Sequence, residues 1–129
     1  MESHIPQPSG KAPASPWNNP HWTSARKDMV GTTLGASRLW FSVAQGIISE
    51  IYYPRLDIPQ VKDLGFIVAD GQGFWQELSS LPGYTLEFVA PGIPVLTIHH
   101  RHALFNLQLR ICPDPQRDVL LLDIVLEGD

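Results

Sequence analysis

The stretch Phe105-Asn106-Leu107-Gln108-Leu109-Arg110-Ile111 alternates apolar and polar side chains without a break. Successive side chains of a strand point to opposite faces. Phe105, Leu107, Leu109 and Ile111 therefore share one face, and Asn106, Gln108 and Arg110 share the other. Beyond the break at Pro113-Asp114-Pro115, residues 119–127 read as extended again, with Leu120, Leu122, Ile124 and Leu126 on one side. Working back toward the N-terminus, the period stays closer to two than to 3.6. Residues 38–44 read as a strand leading to a Gln45-Gly46 turn, and residues 47–53 as a strand stopped by Pro54, which has no N–H for a ladder bond. An apolar run at 64–69, the tight-turn sequence Asp70-Gly71-Gln72-Gly73 and residues 74–78 predict a hairpin. Two further strands, 84–89 and 95–102, flank Pro91-Gly92-Ile93-Pro94. No segment offers a long amphipathic helix and no internal repeat is visible. Short strands joined by Gly/Pro turns predict an all-β, antiparallel sandwich or barrel.

The bulk numbers agree with one globular domain. The chain has 129 residues, 43% of them hydrophobic and 17% charged, enough to bury a core. A formal net charge of −4 gives no electrostatic reason for nucleic acid or an anionic membrane as partner. Cys112 is the single cysteine, so there is no internal disulfide framework. The N-terminal residues carry no apolar signal region and no run is long enough to span a bilayer, which gives a cytoplasmic expectation. Residues 1–20, rich in Pro, Ser, Gly and Asn, are expected to form a flexible arm, with Trp17 and Trp22 as anchors. The domain proper is expected over 21–129. The sequence ends at Glu127-Gly128-Asp129, directly after an apolar strand, and reads as the first part of something larger. A bare hydrophobic edge also predicts self-association.

The chemistry-bearing residues each have a bland alternative. On a strand His100 and His102 would share a face, but the further ligands a metal site needs have no counterpart nearby, and no metal or cofactor is expected. There is no Gly-x-Ser-x-Gly elbow and no P-loop; the glycines of 30–35 are expected to shape a loop. The stretch Glu50-Ile51-Tyr52-Tyr53-Pro54-Arg55-Leu56-Asp57 is the densest in polar and aromatic groups. Its two acids invite comparison with a glycosidase pair, which stands about 5–9.5 Å apart. They are equally suited to bonding Arg55, Lys62 or backbone amides.

Several ordered blocks carry a family resemblance. Lys27-Asp28-Met29-Val30-Gly31-Thr32, Leu39-Trp40-Phe41-Ser42, the run from Gln45-Gly46-Ile47 through the 50–57 stretch, and Asp63-Leu64-Gly65-Phe66-Ile67-Val68-Ala69-Asp70-Gly71 follow one another in a succession that resembles the N-terminal domain of bacterial-type glucoamylases and glucodextranases of glycoside hydrolase family 15. The resemblance implies part of a large β-sandwich, a supersandwich, preceding an (α/α)6 barrel. It also implies that the catalytic glutamates for inverting hydrolysis of α-glucosidic bonds reside in that barrel. No catalytic residue is therefore expected here. Glu50, Tyr52, Tyr53, Arg55 and Asp57 stand as candidates for contact with the barrel, on the same or a neighbouring polypeptide, or with an α-glucan. Aromatic faces at Trp40, Tyr52, Tyr53 and Trp75 suit sugar stacking, whereas Trp40 and Phe41 equally suit a core. Three readings result: a non-catalytic sandwich supporting a glucoamylase-like barrel, a stand-alone α-glucan-binding module, and a non-functional gene fragment.

Overall fold

The computed structural model describes residues 26–128. The expected arm over 1–20, and with it Trp17 and Trp22, lies outside the described residues. Ten strands and one short 3-10 turn make up the described chain: β1 (Met29–Gly31), β2 (Trp40–Ala44), β3 (Ile47–Tyr52), β4 (Pro59–Leu64), β5 (Ile67–Ala69), β6 (Trp75–Glu77), the 3-10 turn Leu78–Ser80, β7 (Thr85–Phe88), β8 (Leu96–Arg101), β9 (Phe105–Pro113) and β10 (Leu120–Gly128). All pairings are antiparallel. One sheet runs β1-β2-β3-β4, the other β10-β9-β8-β7, and β5 and β6 form a separate hairpin.

The alternation in β9 translates directly into burial, inward and outward by turns from Phe105 to Pro113. Its inward residues, with Leu96 and Ile98 of β8, meet Phe41, Val43, Ile47 and Ile48 of the first sheet, and Phe74 and Leu78 fill one side. Burying each such side chain is worth about 1.5–3 kcal/mol, which is what holds the two sheets face to face as a β-sandwich. Gln45 and Gly46 both take positive φ, 54° and 71°, the geometry of a tight hairpin turn between β2 and β3.

Three elements depart from the sequence reading. Pro59–Leu64 forms β4, although Pro59, Gln60, Lys62 and Asp63 do not look like a strand. It is an edge strand, where a proline loses no ladder bond and polar side chains meet water. The run expected over 64–69 is consequently divided: Leu64 closes β4, next to Asp63 at φ 52°, and β5 starts only at Ile67. Finally Val30 and Gly31, expected in a loop, lie in β1, paired with Ser42 and Phe41 of β2, and Gly31 leaves room for the Phe41 ring, which a Cβ there would meet at 2.7 Å. Pro113 keeps β9 regular because it pairs with Leu120 of β10, beyond Ile111, the last β9 residue paired with β8.

Candidate functional site

The 50–57 stretch starts on β3 and ends in the turn before β4, and the structure sorts its five candidate residues into three groups. Glu50 sits opposite Ser42 of β2 and Lys62 of β4. Its carboxylate takes an ion pair from Lys27 Nζ at 2.9 Å, with both side chains about four-fifths buried (20% and 17% exposed). The Tyr52 hydroxyl donates to the same carboxylate. Burial first, and then the hydrogen bond to Glu50 and its charge, push the Tyr52 phenol above its ordinary pKa. Ser42 Oγ and Ser49 Oγ are hydrogen-bonded to each other at 2.8 Å and are cut off from water.

Tyr53 belongs to a different group. Arg38 Nη2 donates to its hydroxyl at 2.6 Å while the guanidinium carbon stands 5.0 Å from the ring centroid. The Arg38 backbone N–H in turn donates to Asp118 Oδ1 at 2.6 Å. That amide holds the Asp118 carboxyl below its ordinary range, helped by the guanidinium charge. The Tyr53-Pro54 peptide is cis, and the turn that follows is closed by Tyr53 N–H to Ile58 O (3.0 Å) and Ile58 N–H to Arg55 O (3.1 Å).

Arg55 and Asp57 make the third group, a bidentate pair with Nε–Oδ1 3.0 Å and Nη2–Oδ2 2.8 Å at the turn, 69% and 66% exposed. Each of the two acids is thus committed to its own cation. The surface clefts lie elsewhere. One of 370 Å³ runs over the outer face of the second sheet by His99, Arg101, Asn106 and Gln108. An apolar one of 390 Å³ lies by Val68, Phe74, Leu104 and Leu126.

His100 and His102 do not form the pair a strand would give. β8 ends at Arg101, so of the two only His100 is on it. His100 is buried with Leu96 and Ile98, whereas His102 stacks on Phe105 with centroids 4.8 Å apart. Among the described residues no three His, Cys, Asp or Glu side chains gather in a way that could hold a metal ion. Nor is any helix there long and apolar enough to cross a membrane. Of the aromatics, Phe41 is fully buried while Trp40, Tyr52, Tyr53 and Trp75 are half-buried. Sequence reading missed Lys27, Arg38 and Asp118 as members of these groups. No local spacing announces them, since Asp118 reaches Arg38 from 80 residues away.

Comparisons with known proteins come out in one direction. A family model described as "Glucodextranase, domain N" matches residues 12–129. A glucoamylase from Clostridium sp. (strain G0005) is 50% identical over 54 residues, 41% of this chain and 8% of that protein. The crystal structure of a bacterial glucoamylase complexed with acarbose superposes over 91% of this chain with a TM-score of 0.82 and 29% identity. The chain spans 18% of the length of that protein.

Proposed function

Because the chain belongs to the glucodextranase domain N family, we propose that it is a non-catalytic β-sandwich portion of a glucoamylase-like glycoside hydrolase of α-glucan breakdown, docking and supporting an (α/α)6 barrel on the same or a neighbouring polypeptide. The observation that carries this reading is the fold match: nearly the whole sandwich aligns with a minor part of a bacterial glucoamylase. The disposition of the acids supports it. Glu50 is neutralised by Lys27 and Asp57 by Arg55, arrangements that serve rigidity better than proton transfer. Tyr53 and the exposed Arg55–Asp57 pair form the part of the stretch available for an interface, where Tyr and Arg are favoured. A domain–domain contact of this kind buries about 600–1,500 Å².

The alternative, an α-glucan-binding module, would use the same aromatics as sugar platforms. Arg38 already occupies one face of Tyr53, so a sugar there would have to displace a cation–π contact. The test sets the two against each other. The chain is titrated with maltoheptaose while tryptophan fluorescence is followed, and separately mixed with a glucoamylase-type barrel expressed without its own N-terminal domain. Complex formation with the barrel, with no glucose release and no sugar response by the chain alone, is the expected result. Saturable sugar binding without barrel binding would replace the leading reading by the alternative.

A further inference from the structure

His100 is an ionisable side chain placed where water does not reach it, at 1% exposure, on the inner face of β8. Its Nε2 lies 2.7 Å from the carbonyl oxygen of Gly46 in the β2–β3 turn of the opposite sheet. A carbonyl only accepts, so Nε2 carries the proton, and the neutral ring leaves Nδ1 bare. Nδ1 is buried and has no hydrogen-bond partner among the described residues. The fit is close: a Cβ at Gly46 would stand 2.8 Å from Nε2, and Gly46 also needs its positive φ of 71°.

Among the described residues no acceptor is placed for a second ring proton. From the segment before β7, Tyr84 stacks obliquely with ring centroids 6.0 Å away, and its hydroxyl is engaged with Asp28. Asp28 and Arg26 sit at the rim of a separate surface cleft with Gln45 and Tyr84. From β9 the partner opposite is Leu107, and the β8 neighbours His99 and Arg101 alternate to the outer face. A protonated ring would therefore hold an uncompensated charge and an unmade bond in an apolar core.

We propose that the His100–Gly46 contact is an acid-released latch between the two sheets: proton uptake from solvent at Nδ1 frees the β2–β3 turn from β8. Linkage sets the sign. Burial lowers the imidazole below its ordinary value of 6.5. The open form, with the ring in water, keeps that ordinary value and binds the proton more readily. Closure is at full strength above that value and weakens as pH falls below it. If the closed ring stays neutral, the open population at pH 5.5 rises about tenfold relative to neutral pH.

The experiment is run on the whole chain. Imidazole nitrogen NMR follows His100 through a titration, and amide hydrogen exchange, converted to protection factors at each pH, follows residues 45–47. The expected result is an Nε2-protonated neutral ring that titrates below its ordinary value, with about a tenfold loss of protection at pH 5.5 confined to the turn. His100→Gln, which keeps a donor for the Gly46 carbonyl but cannot titrate, is expected to flatten that pH dependence. Three results would overturn the latch: a ring that titrates at or above its ordinary value, protection that is unchanged or lost evenly over both sheets, or a Gln variant with the same acid response. The first two are read on the unaltered chain, so a Gln variant that fails to fold leaves the test intact.

Discussion

Replacing Ser42 by alanine removes one hydroxyl from a pair that has no contact with solvent, since Ser42 and Ser49 are 0% and 1% exposed and bonded to each other at 2.8 Å. The bond itself contributes only about 0.5–1.5 kcal/mol net, because both hydroxyls are hydrogen-bonded to water when the chain unfolds. The cost of the single substitution is larger, about 1–3 kcal/mol, because it leaves Ser49 Oγ desolvated without its partner. Ser49→Ala does the same to Ser42 Oγ, part of whose loss is offset by its proximity to the Tyr52 phenol. Replacing both removes the stranded hydroxyl, so the double variant loses less than the two singles together, with a coupling of about 1–2 kcal/mol. Urea unfolding of the four proteins measures this from the midpoints, provided the slopes agree. Losses that add to within about 0.3 kcal/mol would refute the reasoning, because then neither hydroxyl depends on the other.

Gly35→Ala should destabilise strongly and loosen the loop before β2, since a Cβ there collides with the carbonyl of Pro115, a backbone atom with little room to yield; Gly71→Ala, open on all sides but at φ 76°, should cost about 1 kcal/mol in the same thermal melt. Leu109→Ala, at a position with 0% exposure, should cost about 2–5 kcal/mol by denaturant titration, and a loss below 1 kcal/mol would mean the sheets do not pack there as described. Asp57→Asn should leave stability within about 0.5 kcal/mol because its pair with Arg55 is solvated. Glu50→Ala should cost clearly more, since it leaves the mostly buried Lys27 ammonium without its carboxylate. The Asp118 carboxyl is held low by the Arg38 amide, so its contribution is present above the ordinary carboxylate pKa and lost as pH falls through the lower folded value. The Arg38 amide resonance should report that transition, and a midpoint at or above the ordinary value would contradict the contact.

Legibility followed the physics of each segment. β9 was readable because one face is buried and the other wet, so burial stamps a period of two onto the sequence; β10 keeps that pattern only at its start, where Leu120 and Leu122 are half-buried, while Ile124 and Leu126 of the same face are exposed. The Gln45-Gly46 turn was readable because positive φ selects a short list of residues. β4 was not, since an edge strand with no fully buried residue and no regular alternation of burial has little to imprint a pattern. For the candidate site, the sequence located the richest stretch but not its division. Glu50 and Tyr52 share a face of β3, while Tyr53 and the Arg55–Asp57 pair lie in the turn between β3 and β4. The partners that define each group, Lys27, Arg38 and Asp118, arrive through tertiary folding and leave no local mark. His100 was invisible as a core residue for a related reason: flanked by His99 and Arg101, it reads as part of a polar run, and only the inward parity of Leu96 and Ile98 gives it away.

Each four-stranded sheet is a meander of consecutive strands, β1 to β4 and then β7 to β10. This has a consequence for the order of events during synthesis. The first sheet has all its strand partners once Leu64 has been made, but Phe41, Val43 and Ile48 are faced by the second sheet only with β8 and β9, up to Ile111. At about 5–20 residues per second, a nascent chain would carry that greasy face uncovered for roughly 2–10 s. Ties between the two halves, Asp28 to Tyr84, Gly46 to His100, Ser37 to Pro115 and Arg38 to Asp118, become available in that order from the ribosome, like a fastening drawn shut from one end. A domain assembled this way is most exposed to misassociation while it is half translated, and a chaperone that shields the first sheet would act in that window.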